Sequence, residues 1–231
     1  MLKYKRNEKR GAVLKKLVLK TTAITLACAL GILAILYGIF ALFITRPLAN
    51  LFDKLGMYNA SIHYYERGYN KSKSIDDLYL LCLKLDAKED SVKVEHYSKI
   101  LIEDTEFISY SKTKDEDKNG ITTEEYVEGK YARAVYKNND IDKTISAVML
   151  CLNNGYNPIA GQNSTTCYPE YNAFLMLLTD ETIDWENKHE DLQKIKNKIE
   201  AIYAGESIFS LTEVEKSYAT RDLAIIDEIL A

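Results

Sequence analysis

Oxygen-bearing side chains alternate along one acidic stretch near the middle of the sequence. Asp115, Asp117 and Asn119 lie two residues apart, Gly120 follows, and Glu125 ends the stretch. A hard cation such as Ca²⁺ is bound by several oxygens that converge at about 2.4 Å, and a glycine permits the sharp turn between them. The pattern therefore makes Asp115, Asp117, Asn119 and Glu125 candidate ligands of a calcium ion.

This stretch resembles the calcium-binding loop of the EF-hand family. It departs from that pattern by one missing residue after Gly120, which moves Glu125 from the twelfth position to the eleventh. The alternative interpretation is a solvated charged connection, followed by a helix that Thr122 and Glu125 cap. Charged loops have this composition routinely, so we prefer the interpretation without a cofactor and keep calcium as the alternative.

Other residue patterns give little support for catalysis. The three histidines, His63, His96 and His189, form no pair at the spacing of metal ligands. No CxxC, GxSxG or SxxK motif occurs, and no glycine-rich phosphate loop. The sequence therefore predicts that the protein is not an enzyme, with a scattered active site as an open alternative.

The four cysteines divide between an apolar run and the rest of the chain. Cys28 lies in the apolar run, whereas Cys82 and Cys151 lie in helical apolar patterns that favour buried free thiols. Cys151 and Cys167 flank one loop, so a disulfide between them remains an alternative. We expect three free thiols outside the apolar run.

The elements that position these residues begin with an uncharged run from Ala23 to Ile44. It contains 22 residues, bracketed by Lys20 and Arg46. A helix of this length covers the roughly 30 Å hydrocarbon core of a bilayer. The run is longer than the apolar region of a signal peptide, and no small-x-small site closes it. It predicts a single transmembrane helix at residues 21–45.

Charge is distributed unequally on the two sides of this helix. Residues 1–20 hold eight basic side chains and one acidic one, whereas residues 47–231 hold 21 Lys and Arg against 33 Asp and Glu, a net charge of −12. The positive-inside rule predicts a cytoplasmic tail at residues 1–20 and an extracytoplasmic domain at residues 46–231. An acidic domain repels phosphate backbones, so we expect the lipid bilayer and other proteins as partners, and no nucleic acid.

Apolar stripes at helical spacing predict an all-α domain after the membrane helix. Ser74 and Asp140 have the residue type and position of helix N-caps, and Gly56 and Asn139 fall where stripes break. The alternation at residues 107–111 fits a strand or a helix. A boundary within the domain is expected at residues 104–121.

The segment LGMYNASIHYYERG, residues 55–68, resembles the core of a tetratricopeptide repeat. Residues 136–145 resemble a second copy, and residues 86–97 a weaker third one. The packing positions that the resemblance implies are Gly56, Tyr58, Ser61, Tyr65, Gly68, Ile141, Thr144 and Ile145. The resemblance implies antiparallel helical hairpins, stacked so that a concave face holds a partner.

These patterns together predict a membrane-anchored module that binds or scaffolds other proteins. Three alternatives stay open. The chain could be a structural or assembly subunit of a larger membrane complex, a calcium-responsive helical module, or an enzyme.

Overall fold

The computed structural model describes residues 2–113, 123–153, 173–205 and 213–231, with the backbone alone for residues 2–16, 40–43 and 214. Every regular element in these ranges is a helix, and none of them contains a strand. The all-α prediction is confirmed. The chain divides into two compact units, Met1–Gly68 and Tyr69–Ala231.

The first unit begins with one long apolar helix. Helix α1 runs from Leu2 to Phe43, and its segment Leu17–Ile39 is long and apolar enough to cross a membrane, with none of the segment buried. Leu19 and Ile35 are 75% and 66% exposed. This confirms one candidate membrane helix near the N-terminus, which overlaps the predicted span.

Two shorter helices follow α1. Helix α2 is Thr45–Lys54, and α3 is Tyr58–Ser72, which continues past the end of the first unit. The hydroxyl of Tyr65 donates to Asn50 Oδ1 at 2.5 Å. The pair α2–α3 is therefore an antiparallel hairpin, as the break at Gly56 predicts.

The second unit consists of the remaining helices. In chain order they are α4 (Ile75–Ala87), α5 (Ser91–Glu103), α6 (Phe107–Thr113), α7 (Thr123–Lys137), α8 (Ile141–Asn153), α9 (Ala173–Leu178), a 3₁₀ turn (Glu186–Lys188), α10 (His189–Tyr203) and α11 (Glu213–Leu230). Two clusters of buried apolar side chains hold the unit together. Helix α7 contributes to both, through Val127 and Ala132, which makes it the central helix of the unit.

Local sequence signals explain several helix starts. The side chains of Ser74 and Asp140 accept hydrogen bonds from the backbone N–H groups three residues later, at 3.2 and 3.0 Å, which confirms both as N-caps. The ambiguous alternation at residues 107–111 is the helix α6. Phe107 and Ser111 are both buried, and their separation of four residues places them on one helix face.

Candidate interaction surface

A small cleft opens between the end of α4 and the middle of α7, and three charged side chains meet in it. Asp86 lies in the last turn of α4, and Lys130 and Arg133 lie one turn apart on α7. Arg133 Nη2 is 2.5 Å from Asp86 Oδ1, and Lys130 Nζ is 2.8 Å from Asp86 Oδ2. All three side chains are at most 14% exposed. We call Asp86, Lys130 and Arg133 the ion trio.

Burial dominates the electrostatics of the trio. It lowers the pKa of Lys130 below its ordinary value, because removal from water disfavours the ammonium form, while the carboxylate of Asp86 acts in the opposite direction. The ammonium also lies 5.1 Å from the centre of the Tyr126 ring, a cation–π distance. One carboxylate thus holds two cations that solvent reaches poorly.

A second polar bridge joins the start of α5 to the turn after α7. Ser91 Oγ donates to Asn138 Oδ1 at 2.7 Å, and Asn138 Nδ2 donates to Glu95 Oε2 at 2.5 Å. Lys143, on α8, lies 3.5 Å from the other oxygen of Glu95. The two hairpins α4–α5 and α7–α8 are therefore joined by matched polar groups as well as by apolar burial.

The rim of the cleft is charged and open to solvent. Glu89 and Lys137 are exposed at its edge, whereas Val94 and Ala134 are buried in its wall. Three cations and two carboxylates line it in all. An arrangement of fixed, alternating charges can orient the charged side chains of a bound polypeptide.

The thiols nearest to these helices are unsuited to nucleophilic chemistry. Burial raises the pKa of Cys82 to about 12 and raises that of Cys151 well above its ordinary value. Only the thiolate is a good nucleophile, so both groups are inert near neutral pH. Both are free thiols, and Cys167 lies outside the described residues.

The ion trio was not predicted from the sequence. Asp86 lies 44 and 47 residues before Lys130 and Arg133 in the chain, so no local spacing links the carboxylate to the two cations. One signal existed. Arg133 interrupts the apolar segment Ala132–Val135 on the face of α7 that packs inward, and a charge on such a face requires a partner.

The predicted packing positions fall into two groups. Ser61 and Thr144 are 1% and 0% exposed, and Tyr65 and Ile145 are also buried. A Cβ atom at Gly68 would lie 3.1 Å from Thr45 Oγ1, so a larger residue would crowd this contact. Ile141 is half-buried, and Tyr58 is 49% exposed.

Three hairpin turns have the same backbone geometry. Gly56, Glu89 and Asn139 have φ values of 70°, 58° and 60°, and each N–H donates to the carbonyl three residues earlier. A helix follows two residues later in each case. Ser61 and Thr144 therefore occupy equivalent positions, and the equivalent residue of the middle turn is the buried Val94.

The predicted calcium ligands Asp115, Asp117 and Asn119 lie outside the described residues. Glu125 lies in the first turn of α7, beside Glu124, whose pKa is raised by burial and by the charge of Glu125. In the described part of the chain no group of His, Cys, Asp or Glu could hold a metal ion. The calcium site stays a prediction.

No family model, curated protein or solved structure matches this chain. The resemblance to tetratricopeptide repeats therefore also stays a prediction. What the described residues provide is an unburied apolar helix, a set of similar hairpin turns and a charged cleft.

Proposed function

We propose that the protein is a single-pass membrane-anchored module whose helical domain binds other proteins. The observation that carries this proposal is the segment Leu17–Ile39, in which no residue is buried although the segment is apolar throughout most of its length. A core helix of a soluble domain buries its apolar face, because exposed apolar area of this size is unfavourable in water. The hydrocarbon core of a bilayer covers the apolar side chains of such a segment without any protein partner.

The charges in the sequence support an orientation. Eight basic side chains precede the apolar segment within residues 1–20, and the region after it is acidic. The proposal therefore places the tail in the cytoplasm and residues 46–231 on the other side of the membrane.

The cleft supports protein binding as the role of the domain. Its cations and carboxylates are held on two packed hairpins, which reduces the entropy that a partner's binding would otherwise cost. Glu89 and Lys137 lie at the solvent-exposed edge, where a partner's side chains can reach them.

Membrane anchoring is tested by extraction of the full chain from membranes at alkaline pH. We expect the native chain to stay in the pellet, and a variant with Ile32→Asp and Leu36→Asp to be released, since two carboxylates in the span are costly. Protease added from outside should then digest the domain and spare the tail. Release of the native chain would refute the anchor, and protection of the domain would reverse the orientation.

Protein binding at the cleft is tested by placing a photo-crosslinking amino acid at Glu89 in the membrane-bound chain. The matched control carries the same amino acid at Lys194, an exposed residue of α10. We expect discrete adducts from position 89 that are absent from position 194. Equal labelling at the two positions, or none at either, would argue against docking at the cleft.

A further inference from the structure

Basic residues cluster at one end of the apolar segment of α1 and not at the other. The chain is uncharged over residues 21–45, and three lysines lie within the six residues that precede this run, namely Lys15, Lys16 and Lys20. We call these three lysines the proximal group. Arg46 is the one charged residue among the seven that follow the run. In a bilayer the two ends of the segment therefore meet the two headgroup layers with different charge.

The sequence around the proximal group supplies no counter-charge along the helix. Between Glu8 and Asp53 the chain contains no acidic residue, so no carboxylate lies within four positions of any of the three lysines. Residues three or four positions apart are neighbours on a helix surface, and like charges at that spacing repel. Lys16 and Lys20 are such a pair, and Lys20 is exposed. An anionic group beside them would offset this repulsion.

The continuity of α1 fixes the height of the proximal group above the uncharged run. Because α1 is one helix from Leu2 to Phe43, each residue adds the same rise. At about 1.5 Å per residue, Lys20, Lys16 and Lys15 lie roughly 1.5, 7.5 and 9 Å outside the run. The headgroup layer is about 5–7 Å thick on each side of a bilayer, and the Debye length in physiological salt is about 8 Å. All three lysines therefore lie within this layer or within one Debye length of it.

A second group of three cations lies on the same helix but much farther out. Lys3, Lys5 and Arg6, which we call the distal group, lie roughly 22–27 Å outside the uncharged run by the same measure. That is about 15 Å or more beyond the headgroup layer, close to two Debye lengths. A helix tilt of about 20° shortens these heights by only about 6%. The two groups thus carry equal charge and differ in their distance from the lipid.

We propose that Lys15, Lys16 and Lys20 form a binding site for anionic phospholipid headgroups in the leaflet next to the tail, and that the distal group takes no part in it. This inference rests on the proposed membrane anchoring. Lipid is the ligand because the helix that crosses the bilayer places these residues at the depth of its phosphates, where lysine commonly lies with its stem along apolar surface. Charge complementarity selects a headgroup with net negative charge over the zwitterionic phosphatidylcholine.

The test measures the lipid selectivity of the full chain in phosphatidylcholine vesicles that contain a trace of spin-labelled lipid, either phosphatidylglycerol or phosphatidylcholine. The immobilised fraction of each label gives the relative association of the two lipids with the protein. We expect phosphatidylglycerol to be preferred about two- to fivefold, since one lysine near the surface contributes about fivefold and only part of the lipid shell lies beside the lysines. Added salt should reduce this preference. Because both leaflets carry the label, the result does not depend on the orientation of the chain.

Two triple variants with the same loss of charge separate the two groups. The proximal variant carries Lys15→Gln, Lys16→Gln and Lys20→Gln. The distal variant carries Lys3→Gln, Lys5→Gln and Arg6→Gln. We expect the preference for phosphatidylglycerol to disappear in the proximal variant and to remain in the distal one. Arginine in place of glutamine at the three proximal positions should retain it, which separates charge from a disturbance of the helix. If vesicles do not retain the proximal variant, Lys16→Gln alone replaces it, with a partial loss of preference expected.

Three outcomes would overturn the inference. An equal loss in the two triple variants means that height along α1 does not matter and that the tail lies on the membrane surface. The absence of any preference in vesicles that retain the native chain refutes the lipid site and leaves the anchor intact, and the lysines then serve another anionic partner, such as an acidic protein. A native chain that does not float with vesicles refutes the anchor as well.

Discussion

Helices α4 and α7 are each the first helix of a hairpin, and the turns that follow them have the same geometry, yet they bury different chemistry. Helix α4 buries an apolar stripe that includes Leu81 and Leu85, both 0% exposed. Helix α7 buries Glu128 and Arg133 among small apolar residues, at 2% and 7% exposure. The first helix of one hairpin thus buries apolar side chains and a thiol, whereas the first helix of the other also buries charged side chains.

The difference matters because the two kinds of contact stabilise a fold to different extents. Burying apolar area contributes about 25 cal/mol per Å² regardless of the neighbour's identity. A buried ion pair gains little over an apolar contact of the same volume, but loses a great deal when one partner is removed. The α4 stripe therefore supplies stability, whereas the ion trio, which joins Asp86 of α4 to two cations of α7, tolerates the loss of none of its members. We infer that the trio serves recognition at the cleft.

The largest expected effect comes from removing the one carboxylate of the trio. Asp86→Ala leaves Lys130 and Arg133 with their charges buried and their main counter-ion gone. We expect a loss of about 3–5 kcal/mol in the free energy of unfolding, measured by urea denaturation in detergent. The control, Lys194→Ala, breaks an exposed pair with Glu190 and should leave the urea midpoint nearly unchanged. A loss below about 1 kcal/mol for Asp86→Ala would mean that water already screens the trio.

Replacing the whole trio by apolar residues should separate stability from recognition. In the triple variant Asp86→Leu, Lys130→Met, Arg133→Met all three charges of the trio are removed together, so we expect the free energy of unfolding to stay equal or to rise by about 1–4 kcal/mol. The adducts formed from a crosslinker at position 89 should disappear in the same protein. A stable variant that retains these adducts would show that the trio has no part in docking.

Sequence reasoning succeeded where the signal is local. Gly56 and Asn139 were expected at turns because each tolerates the left-handed region, and Ser74 because its hydroxyl can cap a helix. The unbroken apolar run predicted the membrane helix from length alone. Each of these inferences needs only neighbouring residues.

Contacts between residues that are distant in the sequence did not follow from local patterns, and neither did a residue in a conformation that its type rarely adopts. Asp86 and Arg133 are 47 residues apart, and no pattern of spacing says that the end of α4 reaches α7. Glu89 is left-handed although glutamate has no preference for that conformation, so packing of the hairpin overrides local propensity. The exposure of Leu51, Leu55 and Met57 was also missed, because an apolar stripe does not say which of its members stay unburied.

Alkaline pH should destabilise the apolar packing of α4 through Cys82, the one thiol on this helix. The pKa of Cys82 is raised to about 12 by burial, from an unfolded value near 9, so its stabilising effect is complete below pH 9 and is lost as pH rises toward 12. By about pH 10.5 we expect the native chain to lose about 2 kcal/mol more than Cys82→Ala does, since the buried thiol of Cys151 weakens both proteins alike.

The ion trio should respond to alkali in the opposite direction. The pKa of Lys130 is lowered, so the unfolded chain binds more protons at this position, and stability from Lys130 rises as the pH approaches 10.5. The difference between the native chain and Lys130→Met across this range isolates that contribution. If Lys130→Met and Cys82→Ala changed the slope in the same direction, the contrast between the two helices would be wrong.

The smallest expected effect concerns the left-handed turns that follow α4 and α7. Glu89 and Asn139 are both left-handed, but a glutamate loses about 1–2 kcal/mol there, whereas asparagine adopts this conformation more readily. Glycine removes that penalty. It is also more flexible in the unfolded chain, which lowers the stability of the folded state by about 0.5–1 kcal/mol. Glu89→Gly should therefore stabilise the chain by about 0.5–1 kcal/mol, and Asn139→Gly should change it little.

Two controls decide whether backbone strain is the cause of that gain. Glu89→Gln removes the charge at the cleft edge and keeps the strain, so it should not stabilise, whereas Gly56→Ala introduces the strain in the first hairpin and should lose about 1 kcal/mol. All four variants are compared by urea midpoints at a constant slope. A gain in Glu89→Gln equal to that in Glu89→Gly would assign the effect to charge at the cleft. The two hairpins would then differ in the electrostatics of their turns as well as in what their first helices bury.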